Sequence, residues 1–520
     1  MIRTQATDDA RRTGWTRRRL LRSLTVGTGI ASLPFEWRSA IAEGPPDVDI
    51  RLVAAPDRVS IGRGSGTDVL RFTAEVVGGR ADAVRPSTGY LGPTLDLRRG
   101  ERVRVEFVNR LDDPSIVHWH GMIVPARDDG HPRFAVAPGH SYVYDFTVRN
   151  PAGTYLYHPH PHGHTGRQIY FGLAGLLIVR DDDEEAVGLP QRGQELSLVI
   201  QDRRVGNDNQ MVFKRTMMDT MTGVLGDTVL VNGVADAAFN VAPRTHRLRL
   251  ANVSNARIYK LAWSDGRPMH AIARDSGLFD RSEGMQTRPY IVLAPFQRVE
   301  LLEDFGVPKK SHKVVLVSRS FDDPGGMAGM MREMMGGGMM GGAMMGDAQG
   351  KELSVASFTV AAGSPTKNDP PTFPEPAQPA RKGGNELHTR LAFNMMQGSL
   401  NGRLFEMDAV AADERLPLDE ETIWTFSNDT GGMAMPHPMH IHGVRFRVIE
   451  RSTGAPVDLR EGLIDAGYQD TVLVFPGERV RLAVAPSEPG MFMYHCHNLE
   501  HEDGGMMRNC WFGPGPVRST

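Results

Sequence analysis

At 520 residues the chain is too long for a single hydrophobic core, since domains typically hold roughly 100 to 200 residues, and two to four domains are expected. Hydrophobic residues make up 40% and charged residues 23%, the ordinary mixture of a soluble globular protein, and a formal net charge of -3 offers no bulk basic excess to suit nucleic acid. Cys496 and Cys510 are the only cysteines, which excludes a disulfide framework.

The first element in chain order is an address. Thr16-Arg-Arg-Arg-Leu-Leu-Arg22 is a twin-arginine pattern, a weakly apolar run follows to about Phe35, and Ala40-Ile41-Ala42 supplies a small-residue cleavage site. Residues 1–42 therefore read as a signal peptide for the twin-arginine export machinery, with the mature protein starting at Glu43 in the periplasm or otherwise outside the cytoplasm. The apolar run is too short and too polar to cross a bilayer, which takes about 20 apolar residues, so no stable membrane anchor is expected.

Beyond residue 43 helical periodicity is nearly absent and short alternating runs dominate, among them Arg102-Val-Arg-Val-Glu-Phe-Val108, His246-Arg-Leu-Arg-Leu250 and Arg479-Val-Arg-Leu-Ala-Val484. The pattern predicts an all-β protein. A common frame recurs in Val136-Ala-Pro-Gly-His-Ser-Tyr-Val143, Leu293-Ala-Pro-Phe-Gln-Arg-Val299 and Val474-Phe-Pro-Gly-Glu-Arg-Val480, which predicts three similar β domains. Their expected bounds are residues 43–185, 186–362 and 385–520. The acidic run Asp181-Asp-Asp-Glu-Glu185 reads as a solvated connection without chemistry, and residues 363–384, rich in proline, as a linker.

Four histidine clusters carry the chemistry: His118-Trp-His120, His158-Pro-His160, His437-Pro-Met-His440-Ile-His442, and His495-Cys496-His497 with His501 and Met506 beyond it. In a strand, residues i and i+2 share a face, so each His-x-His pair can present two imidazoles side by side to metal. Cys496 then faces away from His495 and His497, so metals on the two sides of this strand share one short covalent path. A thiolate with His437, His501 and a weak Met506 thioether is the donor set of a blue copper electron-transfer centre, whereas zinc there would be redox-inert.

These motifs, H-W-H-G, H-P-H, H-P-x-H-x-H-G and H-C-H-x-x-x-H-x-x-x-x-M, resemble the four copper-binding motifs of the multicopper oxidases and stand in the same order. Gly163-x-Thr165-Gly-Arg-Gln168, Asp227-x-x-Leu230-Val-Asn-Gly233 and Arg274-Asp-Ser-Gly277 are similar to connecting sequence in the bacterial copper-tolerance and laccase-like branch. The resemblance implies three cupredoxin-like Greek-key domains, the second serving as a spacer, and four copper ions. Carried over by position, a type 1 copper takes His437, Cys496, His501 and Met506, and a type 2 copper takes His118 and His440. A type 3 pair takes His120, His158, His160, His442, His495 and His497. Asp129, nine residues after His120, and Glu502, next to His501, become candidates to supply the protons that dioxygen reduction consumes. His162 and His164 read as spare, His131, His140 and His270 as structural, and Cys510 as a small buried side chain.

Residues 325–346 are built largely of glycine and methionine. Met327, Met330, Met331, Met334 and Met335 fall on one helical face, but Gly336-Gly-Gly338 interrupts it and further methionines follow among glycines, so an exposed element is expected rather than core. Thioethers favour Cu(I), and these five residues, with Met433 and Met435 just before His437, are candidate sites for substrate copper. The expected reaction is oxidation of Cu(I), and more slowly of phenols, by dioxygen in copper homeostasis. A general laccase is the second reading and a noncatalytic periplasmic cupredoxin the third. A two-domain nitrite reductase has no need of four His-x-His pairs.

Overall fold

A computed structural model describes residues 44–515 apart from 63, 88, 191, 307–310, 323–348, 364–370, 395, 429, 431–433 and 453. The signal sequence expected over residues 1–42, the methionine-rich segment, Met433 and part of the proline-rich linker lie outside the described residues. Among the described residues no helix is long and apolar enough to cross a membrane.

The strands pair into six sheets, two for each repeat of the sequence frame. In the first unit, one sheet holds Val48–Val59 against Thr67–Gly79 and Arg102–Asn109, and the other holds Thr94–Arg98, Gly175–Arg180 and Gly153–Pro159. Alternation sets what fills the space between them: along Arg102–Asn109 the residues Val103, Val105 and Phe107 turn inward to pack with Trp119, Tyr144, Tyr157 and Leu177.

The same parallel pairing recurs in every unit. Val48–Val59 runs parallel to Arg102–Asn109, Glu195–Arg203 to Thr245–Asn252, and Arg381–Asn394 to Glu420–Asn428. In the companion sheets Thr94–Arg98 runs parallel to Gly175–Arg180, Ala238–Val241 to Leu353–Val360, and Arg415–Leu416 to Met507–Phe512. Parallel neighbours require a connection that leaves the local hairpin, so this repeated mixture of parallel and antiparallel pairs is the mark of a Greek-key sandwich. The predicted all-β fold of three cupredoxin-like sandwiches is what the structure has.

Two local readings change. The run His246-Arg-Leu-Arg-Leu250 alternates as predicted, yet both its faces are buried. The polar side, Arg247 and Arg249, meets Glu184, Glu195 and Glu300, so this face is an interface between the first two units. Glu184 belongs to the acidic run assigned to a solvated connection. That run is a short helix, Asp182–Ala186, capped by the Asp181 carboxylate, and Glu184 is turned inward as a counter-ion for the two buried guanidiniums.

The methionine-rich segment connects His312–Ser318 to Leu353–Val360, strands paired antiparallel in the middle unit. Its described flanks are fastened: Phe321 N donates to Gly350 O, and the Gln349 amide bridges Ile258 N and Ala256 O.

Candidate metal centre

The His-x-His pairs come together because strand register aligns them. His118 stands opposite His158 across Val117–His118 and Gly153–Pro159, and His440 opposite His495 across His437–Ile441 and Gly490–Cys496. Residues directly opposite in an antiparallel pair share a face, so each sheet turns four imidazoles one way. The sheets belong to the first and third units, and their histidine faces meet. His118 Nε2 lies 3.3 Å from His440 Nε2, His160 Nε2 lies 3.3 Å from His495 Nε2, and His442 Nε2 lies 3.0 Å from His495 Nε2. His158 Nε2 and His120 Nδ1 are 3.4 Å apart. All eight rings are buried.

Cys496 faces the other way, as its position between two histidines requires. Its Sγ is 3.4 Å from His437 Nδ1 and 3.6 Å from His501 Nδ1. Met506 closes this side: its amide donates to His501 O, its carbonyl accepts from Cys496 N, and its thioether fills the space left by Gly398, where a Cβ would stand 2.6 Å from Sδ.

These donors fit a metal. Two nitrogens each about 2.0 Å from one ion at a tetrahedral angle stand about 3.3 Å apart, and a thiolate and an imidazole on one ion about 3.5 Å apart. Burial, as the largest cause, lowers the pKa of His158 to about 3, of His160 and His501 to about 4, and of His118, His120, His437, His440, His442 and His497 well below the ordinary value. They are neutral lone-pair donors at physiological pH. Neither ring nitrogen of His497 has a hydrogen-bond partner within the protein, nor has His160 Nδ1, and a buried polar atom left so costs about 1–3 kcal/mol unless something else satisfies it.

The outward ring nitrogens are held in turn. Asp129 O accepts from His118 Nδ1 at 2.7 Å and its Oδ2 from His442 Nδ1 at 2.7 Å. Gly130 makes this approach possible, having φ +86° and a position where a Cβ would stand 2.2 Å from Val117 O. Glu502, on the helix Leu499–Asp503, has Oε2 3.2 Å from His495 Nδ1 and Oε1 3.6 Å from His160 Nε2. Burial would raise its carboxyl, but the adjacent imidazoles outweigh that and hold it down at about 2.

Family models described as multicopper oxidase match residues 72–184 and 374–515. A multicopper oxidase of Staphylococcus aureus is 30% identical over 80% of this chain and 81% of its own length. The chain belongs to the multicopper oxidase family. Among solved structures, the McoA multicopper oxidase of Aquifex aeolicus superposes with a TM-score of 0.74 at 30% identity, covering 90% of this chain and 97% of that one. The cell division protein FtsP of Edwardsiella tarda is also similar, 30% identical over 80% of this chain and 82% of its length. As a multicopper oxidase the protein is a copper-dependent oxidoreductase that passes electrons from a reducing substrate to dioxygen.

The remaining sequence candidates fall where their chemistry allows. His131 is buried, its Nδ1 accepting from Arg133 N and its Nε2 donating to Asn509 Oδ1, while His140 and His162 are exposed and His270 sits beside Glu303. Cys510 is buried and unpaired. Met435 is buried, its carbonyl accepting from Asn428.

The middle unit is more than the spacer expected of it. The Met221 carbonyl, in the helix Met217–Thr222, accepts from His501 Nε2 at 2.8 Å. Gly223, just beyond, packs against Ala256, to which Gln349 is fastened, so the flank of the methionine-rich segment and the cap on His501 adjoin. Phe296 stacks on His497 with ring centroids 3.8 Å apart. It occupies the turn position that is glycine in the other two copies of the Pro frame, Gly139 and Gly477, and like them has positive φ, +62°. A left-handed phenylalanine costs on the order of 1–3 kcal/mol, which is the signature of a residue held where the site needs it. Spacing signalled neither residue: Met221 contributes only its backbone, and Phe296 is visible solely as the odd member of the repeat.

Proposed function

We propose that this multicopper oxidase couples one-electron oxidation of Cu(I), and more slowly of phenols, to four-electron reduction of dioxygen to water in bacterial copper tolerance. The observation that carries the reading is the joining of a complete donor set to a methionine-rich segment whose flank adjoins the element capping His501. His437, Cys496, His501 and Met506 would hold the type 1 copper, His118 and His440 the type 2 copper, and His120, His158, His160, His442, His495 and His497 the type 3 pair. Copper in these positions supplies reversible one-electron chemistry and a site for dioxygen. Cys496 links the two sides by its covalent bonds to His495 and His497, Asp129 orients His118 and His442, and Glu502, a carboxylate at rest, takes up and passes on a proton beside His160 and His495. Residues 1–42 would send the folded chain through the twin-arginine machinery to the periplasm, and residues 43–185, 186–362 and 385–520 would be the three domains, with the first strand of the last reaching back to Arg381 inside the stretch 363–384 read as linker.

Oxygen uptake with Cu(I), Fe(II), Mn(II) and a dimethoxyphenol at equal copper loading ranks the substrates, and Cu(I) is expected to lead. Deleting residues 325–346 is expected to lower Cu(I) oxidation while leaving copper-free oxidation of a bulky phenol equal or faster, because thioethers gather a soft cation but obstruct a large organic molecule. The shortened connection joins two paired strands, and loop closure changes by only about 0.6 kcal/mol per twofold change in length. A truncated enzyme with full copper and wild-type Cu(I) turnover would make the general laccase the better reading.

Glu502→Gln is expected to slow dioxygen turnover by about 10²-fold and to leave anaerobic reduction of the blue copper near the wild-type rate, since the amide keeps the shape but cannot take up a proton and pass it on. Stopped-flow bleaching separates the steps. Equal loss in both would assign Glu502 to the architecture of the type 1 side instead.

A further inference from the structure

Arg298 is enclosed by acceptors from all three units. Its Nε donates to Thr154 O at 3.0 Å, Nη1 to Phe296 O at 3.0 Å and Asp470 Oδ1 at 2.7 Å, and Nη2 to Asp275 O at 3.0 Å and Asp470 Oδ2 at 2.6 Å. Every N–H of the guanidinium is used, and both members of the pair are fully buried. Asp470 is already engaged with the histidines: its Oδ1 is 3.0 Å from His120 Nε2 and its backbone oxygen 2.8 Å from His440 Nδ1. Thr471 Oγ1 donates to Oδ1 and Ser276 Oγ to Oδ2, which fixes the plane of the carboxylate.

His120 differs from its neighbours in which nitrogen it turns inward. His118, His158, His440 and His442 each hold Nδ1 against an oxygen and aim Nε2 at the cluster. His120 instead holds Nε2 against Asp470 and aims Nδ1 toward His158 Nε2. A neutral imidazole carries one proton, and a carboxylate can only accept, so Asp470 keeps that proton on Nε2 and leaves the Nδ1 lone pair free.

We propose that Arg298 and Asp470 form a positioning pair, in which the arginine of the middle unit presses a carboxylate of the third unit against His120 of the first and selects the tautomer that offers Nδ1 to copper. The inference rests on the copper assignment above. It gives the middle unit, which supplies no donor, a direct hold on the metal centre. Docking of the three units and completion of the site become one event, because the guanidinium finds all its acceptors only when all three are in place.

Holoprotein tests this with copper retention against a chelator, the electron paramagnetic resonance spectrum of the copper sites, the blue absorption, and unfolding of the apoprotein. Asp470→Ala is expected to weaken copper retention on the histidine side by about 10–100-fold and to uncouple the type 3 pair that His120 serves, seen as a new paramagnetic copper signal, with blue absorption unchanged. Arg298→Lys keeps the cation but loses the two-pronged hold, so it is expected to fall between Asp470→Ala and wild type, and it carries the test should Asp470→Ala fail to fold. Glu300→Ala breaks a buried ion cluster away from the histidines and is expected to lower the unfolding temperature with copper retention intact. Wild-type chelator resistance and a wild-type paramagnetic spectrum in Asp470→Ala or, failing its folding, Arg298→Lys would reduce the pair to an interdomain tie and overturn the inference. A wild-type holoprotein lacking the type 2 signal altogether would overturn the copper assignment instead, which keeps the two failures apart.

Discussion

Cys496→Ser is expected to yield a folded, colourless protein whose oxidase turnover falls to background. Cys496 is fully buried in Gly490–Cys496, opposite Met439 in register, and serine is close to it in size, so the strand pairing survives. A buried hydroxyl short of partners costs about 1–3 kcal/mol, which a body of this size withstands. What serine cannot supply is the soft, polarisable sulfur 3.4 Å from His437 and 3.6 Å from His501. In the proposed type 1 centre, charge transfer from thiolate to copper would be the chromophore, and the side chain between His495 and His497 would be the short path from electron entry to dioxygen. Visible absorption, copper content and oxygen uptake on one preparation decide the matter. The wild type should be blue with about four coppers per chain and the variant should retain the type 2 and type 3 complement. A Cys496→Ser protein that stays blue sinks the type 1 assignment.

Glu300→Ala carries the largest expected loss of stability. Glu300 accepts from Arg247 Nε at 2.7 Å and from the Thr154 hydroxyl at 2.7 Å, and it also pairs with Arg249, while Glu195 accepts from Arg249 at 2.9 Å and from Arg180 at 2.7 and 2.6 Å. Removing the carboxylate leaves two wholly buried guanidiniums sharing Glu184 and Glu195. Breaking such a pair on one side costs about 3–5 kcal/mol, far more than the intact pair contributes over a hydrophobic substitute. Denaturant or thermal unfolding of variant and wild type measures it. Acid adds a second reading. Burial raises the Glu300 and Glu195 carboxyls, but the arginines outweigh it and hold both below the ordinary glutamate value of 4.5. Groups depressed in the folded state stabilise above their unfolded pKa and lose that contribution as pH falls, so wild type should weaken progressively below about pH 4.5, and Glu300→Ala less steeply. Equal stability of the two proteins at neutral pH would show that the cluster holds nothing together.

The grouping of the histidines and Cys496 onto strand faces was legible in the sequence because the period of a β-strand is a local property. His118 and His120, or His495 and His497, share a face wherever their strand lies, and Cys496 must point the other way. The three Pro frames were equally legible as a repeat. What no local pattern could state is which faces meet. His118 and His440 touch across 322 residues and His160 and His495 across 335, and their contact depends on how two sandwiches dock.

Docking also decided the partners that spacing missed. Arg298 and Arg479 occupy the same place in the repeated frame, yet one is buried against Asp470 and the other is exposed. The alternation of Arg247 and Arg249 correctly gave a polar face, but whether that face met water or Glu184 and Glu300 depended on the neighbouring unit. Side-chain direction along a strand follows from covalent geometry within a few residues, so the sequence alone determines it. Burial, tautomer and ion pairing follow from what a remote surface brings to within about 3 Å, so only the packed tertiary structure decides them.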